Sequence, residues 1–237
     1  MKRLVILILV MSSLQINAQD SSELIKHYDA YYKQMRAQGD IQGMINGLTH
    51  LNILKPSEAR KDTLAYIYMS EGKDVQALNT IGIDKKIDDS DIAVQVKAVC
   101  LKAVGQPEKA LIHFEEMFKR NPNAKIAYEL AELNMQIQKF TEAEKHVSYG
   151  LANAKDDMTK AYYETQNPYQ VPLKAAFMYL DGLITFNKNK TANVDAAVDI
   201  LDEALKIAPN FNMAQVGKNA LLQQKQAAAA QAQQPKN

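Results

Sequence analysis

The chain has 237 residues and carries 28 basic and 27 acidic side chains. Without residues 1–18, which include Lys2 and Arg3, one net negative charge remains. Such a balance excludes a general electrostatic attraction to nucleic acid or anionic lipid. Cys100 is the single cysteine of the sequence, so no intramolecular disulfide can form. Its place in a helical apolar pattern favours a buried small side chain over pairing between two chains.

Residues 1–18 have the layout of a secretory signal peptide. Lys2 and Arg3 give a positive start, an apolar run follows, and Ala18 is a small residue at the expected cleavage point. The run spans about a dozen residues, whereas a membrane anchor needs roughly 20. No cysteine near the cleavage point could carry a lipid anchor, and no later segment is apolar enough to span a membrane. We therefore expect cleavage near Ala18 and a periplasmic or secreted protein.

Four columns of residues recur at a spacing of 33 within residues 19–156. The columns are Gly39, Gly72 and Gly105; Tyr32, Ala65, Ala98 and Ala131; Met44, Ala77, Ala110 and Ala143; and Leu48, Ile81, Phe114 and Val147. Each repeat contains two apolar-periodic segments joined by a turn, usually at a glycine, which supplies the positive φ that a helix end favours. The pattern predicts four helical hairpins whose two helices approach closely at the alanine columns.

The pattern breaks at residues 157–174, which contain Tyr162, Tyr163 and Tyr169. Tyrosine and valine content around an Asn-Pro turn predicts a small β-hairpin with arms at 159–165 and 169–171. Two interpretations remain open for this insertion. It is a recognition loop, since inserted segments often carry binding residues, or its aromatic side chains cover the joint between the fourth and fifth helical hairpins.

A fifth hairpin is predicted at residues 175–210, with helices at 176–186 and 194–207 joined by a lengthened turn at 187–193. Residues 211–226 are expected to form a capping helix, because an array of hairpins leaves an open apolar face at its end. Alanine and glutamine dominate residues 227–237 without apolar periodicity. We expect a frayed helix after Gln223 that passes into a disordered tail at 227–237.

The columns resemble the tetratricopeptide repeat (TPR), a 34-residue helical hairpin with small residues at positions 8 and 20 and proline near position 32. The residues at these positions are Ala65, Ala98 and Ala131; Ala77, Ala110 and Ala143; and Pro56 and Pro122. The first repeat departs with Tyr32 and Met44, and the fourth carries Gln138 in place of the turn glycine. The tyrosine-rich insertion is weakly similar to one in some exported bacterial TPR proteins. The resemblance implies an all-α, right-handed solenoid of about five hairpins plus a C-terminal capping helix.

In TPR proteins the first helix of each hairpin, helix A, lines a concave groove that binds peptides. The equivalent residues here are Lys33, Arg36, Asp62, Tyr66, Met69, Gln95, Val99, Lys102, Tyr128, Glu132 and Met135. The resemblance therefore implies a groove for an extended or helical peptide with apolar anchors. The alternative is that some of these side chains are buried between repeats. Members that clamp acidic chaperone C-termini carry Lys and Asn at positions 5 and 9 of helix A, and that pair is absent here.

No motif for phosphate binding, nucleophilic catalysis or metal hydrolysis occurs in the sequence. His113 and His146 are 33 residues apart, but no third ligand is evident, so we interpret them as solvated surface histidines rather than metal ligands. No catalytic residue, cofactor or metal is predicted. The expected function is a non-catalytic protein–protein interaction scaffold or adaptor of the bacterial cell envelope. The alternative is a glycan-binding accessory of nutrient uptake, although the chain has no tryptophan for stacking on sugars.

Overall fold

A computed structural model describes residues 21–232, and the signal peptide predicted at 1–18 lies outside them. The chain divides into two compact units, the first ending at Ala110 and the second beginning at Leu111. Unit 1 contains helices α1 (21–38), α2 (Ile41–Leu54), α3 (Glu58–Ser70), α4 (Asp74–Ile81) and α5 (Asp91–Ala103), and the start of α6 (Pro107–Arg120).

Unit 2 contains the rest of α6 and the remaining elements, which are α7 (Ala124–Gln136), α8 (Phe140–Asn153), strands β1 (Thr159–Tyr162) and β2 (Tyr169–Pro172), α9 (Leu173–Lys188), α10 (Val194–Ile207) and α11 (Asn212–Ala232). The described part is thus all-α apart from one antiparallel hairpin, which pairs Tyr162 with Tyr169 and Lys160 with Val171. This confirms five helical hairpins, a capping helix and a small β-hairpin. None of the described helices is long and apolar enough to cross a membrane.

Short polar side chains cap the starts of α2, α5 and α7. Asp40, Ser90 and Asn123 each accept a hydrogen bond from the backbone N–H three residues later, at 2.8, 3.1 and 3.0 Å. Each bond satisfies one of the N–H groups that a helix leaves without an internal partner. These caps fix where α2, α5 and α7 begin.

The alanine columns lie where the helices of a hairpin meet. Ala65, Ala98 and Ala131 are fully buried, and so are their counterparts Ala77, Ala110 and Ala143. The first repeat replaces the alanine with Tyr32, and its facing helix compensates with glycine. A Cβ on Gly47 of α2 would lie 3.0 Å from the Cβ of Tyr32. A small residue is therefore retained at this contact, but on the opposite helix.

The turns between the helices of hairpins one to three use glycine at positive φ, namely Gly39 (71°), Gly72 (68°) and Gly105 (73°). The fourth turn places Gln138 at φ 61°, in the same left-handed region. A residue with a Cβ pays about 1–2 kcal/mol for this conformation, whereas glycine adopts it freely.

Replacing Gln138 with glycine is therefore expected to raise the free energy of unfolding by about 0.5–1 kcal/mol, since relief of strain exceeds the added chain entropy of glycine. Urea unfolding would measure it. The converse change, Gly105→Ala, is expected to destabilise unit 1 by about 1 kcal/mol, because open space surrounds Gly105 and only its φ opposes a side chain. A gain from Gly105→Ala would contradict the strain argument.

The capping helix α11 extends further than predicted. Residues 227–232 are helical rather than disordered, while residues 233–237 of the predicted tail lie outside the described residues. Alanine and glutamine are strong helix formers, so α11 continues after its last buried residue, Leu221. Residues 227–230 are exposed, so α11 remains helical there without an apolar face to bury.

Candidate functional site

The predicted groove residues of unit 1 lie on its helices A, which are α1, α3 and α5. Tyr66 on α3 is 43 % exposed and Val99 on α5 is 36 % exposed. Lys33 and Arg36 on α1 are exposed, and Lys33 forms an ion pair with Asp29 at 2.6 Å. We call the set of Lys33, Arg36, Tyr66 and Val99 the unit 1 A-helix face. It combines partly exposed apolar side chains on two neighbouring helices with two basic side chains.

The other predicted residues of unit 1 are less accessible. Asp62 is buried, and its carboxylate accepts a hydrogen bond of 2.7 Å from the Ser90 hydroxyl. Since Ser90 also caps α5, Asp62 ties α3 to the start of α5, and its assignment as an exposed groove contact is corrected. Met69, Gln95 and Lys102 are half-buried. They can contribute only part of their surface to a bound partner.

Tyr128 of unit 2 is 1 % exposed, so its prediction as an open groove residue is wrong. Its ring meets Phe177 edge-on with centroids 5.4 Å apart, and the Lys160 ammonium lies 4.5 Å from its ring centroid. Its hydroxyl shares a hydrogen bond of 2.9 Å with the hydroxyl of Tyr162. The β-hairpin therefore covers this part of helix α7. Glu132 and Met135, further along α7, are half-buried.

The tyrosines of the insertion divide between two roles. Tyr162 and Tyr169 stack with centroids 5.7 Å apart, and both rings contact Phe211. Tyr169 donates a hydrogen bond to the Glu164 carboxylate at 2.5 Å and accepts one from the Met213 backbone N–H at 3.3 Å. These contacts favour the covering interpretation for Tyr162 and Tyr169. Tyr163 is 75 % exposed and is available to a partner.

Burial dominates the electrostatics of this aromatic cluster. It holds the pKa of Tyr128 well above the usual value near 10, and the charges of Tyr162 and Glu132 add to that shift. Burial likewise raises the pKa of Tyr162. Burial, followed by the hydrogen bond to Glu164, raises the pKa of Tyr169 to about 12. The folded protein therefore keeps these phenols protonated at a pH where the unfolded chain has ionised them.

The stability of unit 2 is expected to fall as the pH rises from 9 to 11. Above pH 10 the unfolded state releases phenolic protons that the folded state retains, so ionisation favours unfolding by on the order of 1 kcal/mol for each buried phenol at pH 11. Urea midpoints measured across this range would show it. The Tyr128→Phe/Tyr162→Phe variant should lose less stability over the same range, and an unchanged slope would contradict the assignment.

The histidines do not form a shared site. His113 is 1 % exposed, so its prediction as a solvated histidine is wrong. His146 is half-buried edge-on against Phe118, with centroids 5.4 Å apart, and burial lowers its pKa. Within residues 21–232, no group of three or more histidine, cysteine or acidic side chains is placed to hold a metal ion.

Cys100 is buried as predicted, and burial followed by contact with Asp74 raises its thiol pKa to about 12.

The sequence did not predict a cleft in unit 2, although one of its lining residues, Met135, was among the predicted groove residues. Two adjoining depressions of about 310 and 440 Å³ lie between the α7–α8 turn and the end of α9, and both include Gln138, Phe140 and Asn187. Met135 and Leu183 line the smaller one, with Lys190 at its edge, while Lys139 and Lys188 line the larger one. We call these two depressions the lysine-rimmed cleft. Its only sequence signal was the lengthened turn that carries Lys190.

Solved structures with a similar fold are known. YrrB, a TPR protein with an unusual peptide-binding site, matches with a TM-score of 0.63 at 14 % identity over 88 % of this chain and 97 % of its own. A tetratricopeptide repeat protein from Parabacteroides merdae matches with a TM-score of 0.60 at 18 % identity over 90 % of this chain and 77 % of its own. The fold is TPR-like.

The MamA protein matches this TPR-like fold with a TM-score of 0.59 at 16 % identity, over 78 % of this chain and 92 % of its own. At these identities the likeness extends to the fold alone. No family model matches the chain, and no curated protein matches it. The function of this TPR-like chain must therefore be argued from its own surfaces.

Proposed function

We propose that this protein is a non-catalytic scaffold of the bacterial cell envelope that binds a segment of a partner protein on the unit 1 A-helix face. The observation that carries the proposal is the partial exposure of Tyr66 and Val99 on α3 and α5, two helices in direct contact. Removing such apolar surface from water favours association. Aromatic anchors of this kind commonly provide a large part of the energy of protein–protein association.

The basic side chains of α1 favour one orientation of the bound segment. Lys33 is ion-paired with Asp29, whereas Arg36 is in no ion pair within the described residues. A partner segment with an apolar side chain over Tyr66 and Val99 and an acidic group towards α1 would satisfy both parts of the face. The peptide-binding site for which YrrB is known supports a peptide as ligand. It does not specify which peptide.

The envelope location rests on residues 1–18, whose positive start, apolar run and terminal Ala18 match a signal peptide. Mass spectrometry of the native protein from a periplasmic extract would test it. A mature N-terminus near residue 19 supports export. An intact N-terminus on protein found only in the cytoplasm would remove the envelope from the proposal while leaving the scaffold role open to its own test.

The binding role is tested by affinity capture followed by reconstitution with the purified partner. The test variant is Tyr66→Ala/Val99→Ala. The matched control is Val75→Ala/Val216→Ala, which removes two exposed apolar side chains that belong to neither candidate surface. The proposal expects binding to weaken at least tenfold in the test variant only, with circular dichroism unchanged in both. Equal binding by both variants would overturn it, and retention on a glycan matrix without any protein ligand would favour the glycan-binding alternative.

A further inference from the structure

The lysine-rimmed cleft is lined by three apolar side chains together with amide and cationic groups. Met135, Phe140 and Leu183 pack partly against the core of unit 2 and leave the rest of their surface in the cleft. The smaller depression, about 310 Å³, is at the low end of the roughly 300–1,000 Å³ of protein ligand pockets. That space can hold one large apolar side chain together with part of the backbone on either side of it.

The charges around the cleft are unbalanced. Lys188 is paired with Glu144 at 2.7 Å. Glu142, which also lines the larger depression, is paired with Lys145 at 2.7 Å, and the Lys139 charge also acts on it. Lys139 and Lys190 are exposed, and neither ammonium group is in an ion pair within the described residues. A ligand with negative charge on both sides of an apolar group therefore complements this cleft.

The turn that carries Lys190 is held by its own hydrogen bonds. The Asn189 side-chain oxygen accepts from the backbone N–H groups of Thr191 and Ala192 at 3.2 and 3.0 Å. The Asn193 amide donates to the Thr185 carbonyl at 2.9 Å. Lys139 comes from the α7–α8 turn and lines only the larger depression, whereas Lys190 lines only the smaller one. A ligand that reaches both lysines therefore carries its charged groups spaced along a chain.

We propose that the lysine-rimmed cleft binds an acidic protein segment in which a large apolar residue is flanked on both sides by Asp or Glu. The apolar side chain occupies the floor formed by Met135, Phe140 and Leu183, and the flanking carboxylates meet Lys139 and Lys190. This inference rests on the proposed function only in taking a protein segment as ligand, since the cleft belongs to unit 2 and the unit 1 A-helix face does not contribute to it.

The probe is a fluorescein-labelled, C-terminally amidated peptide, Gly-Glu-Glu-Leu-Glu-Glu-Gly, titrated with the full chain and followed by fluorescence anisotropy. We expect saturable 1:1 binding that weakens about tenfold in Lys139→Gln/Lys190→Gln, since two exposed charge pairs are lost. The matched control is Lys125→Gln/Lys155→Gln, which removes the same charge from exposed lysines at the opposite ends of α7 and α8, about 20 Å away along helices of this length.

Two further peptides examine the chemistry of the ligand. Replacing the central leucine with serine should weaken binding at least fivefold, and a neutral peptide ending in a free leucine carboxylate should bind no better than that serine peptide. Tyr66→Ala/Val99→Ala should bind the probe normally, so failure of the unit 1 proposal is distinguishable from failure of this one. Absence of binding, equal binding by the two lysine variants, or indifference to the central leucine would each overturn the assignment.

Discussion

Replacing Gly150 with alanine is expected to lower the free energy of unfolding of unit 2 by about 3 kcal/mol. A Cβ built on Gly150 of α8 would lie 1.9 Å from Cζ of Phe177 and 2.3 Å from both adjacent ring carbons. Phe177 is fully buried on α9, so its ring cannot move without displacing the surrounding core. Overpacking of this kind costs about 1–3 kcal/mol or more. It outweighs the roughly 1 kcal/mol that alanine gains over glycine in a helix.

The matched control for this prediction is Gly217→Ala in α11 of the same unit. Its Cβ would lie 3.6 Å from the ring of Tyr179, an ordinary van der Waals distance. Only the helix propensity of residue 217 then changes, so we expect the free energy of unfolding of Gly217→Ala to stay the same or rise slightly. Urea unfolding monitored by circular dichroism measures both variants. If Gly150→Ala unfolds at the same urea concentration as the wild type, α8 and α9 pack less closely than described.

Replacing Asp89 with asparagine is expected to destabilise unit 1 by about 3 kcal/mol, because it leaves a buried cation without its counterion. The Lys97 side chain on α5 is fully buried, and its ammonium lies 2.6 Å from the Asp89 carboxylate. The same ammonium donates to the Asp84 carbonyl at 2.8 Å. Asp89 also accepts from the Lys86 backbone N–H at 2.9 Å. The ion pair therefore fixes the α4–α5 loop against α5.

A double-mutant cycle isolates this interaction. Lys97→Met removes the cation but leaves a largely buried carboxylate, so it should also destabilise unit 1. The Asp89→Asn/Lys97→Met double variant should recover most of the stability, since apolar or neutral replacement of a whole buried pair is often close to neutral. Asp88→Asn, at the adjacent exposed position, should change stability by less than about 0.5 kcal/mol. Because the chain has two units, hydrogen exchange of α5 amides should accompany urea unfolding. Strictly additive effects would show that the two charges do not interact.

The repeat register was predictable because it depends on local chemistry. Glycine at the turns, alanine at the close helix contacts and proline at the breaks each constrain the backbone in their own neighbourhood. All four columns therefore fall in the elements predicted for them, and the fourth turn keeps the left-handed conformation although Gln138 replaces the glycine. The β-hairpin at 159–172 was predictable for the same reason, from its turn residues and β-branched and aromatic content.

The accessibility of individual side chains was less predictable. Tyr128 occupies a groove position by repeat register, but the β-hairpin, 31 residues later, places Tyr162 over it. His113 was interpreted as a solvated surface side chain for lack of further metal ligands, and it is nevertheless buried. Carrying positions over from a repeat consensus assumes that every repeat has the same neighbours. An insertion breaks that assumption for the helices it covers.

The sequence alone determined the number of helical hairpins, the residues at their turns and close contacts, and the presence of a hairpin insertion, because each depends on interactions within about 40 residues. Only the tertiary structure decided which surfaces remain available. It buried Tyr128, paired Lys97 with Asp89 and assembled the lysine-rimmed cleft from two separate turns. A repeat pattern constrains the backbone of each hairpin, whereas burial and charge pairing depend on which side chains meet in space, even for Asp89 and Lys97, which are only 8 residues apart.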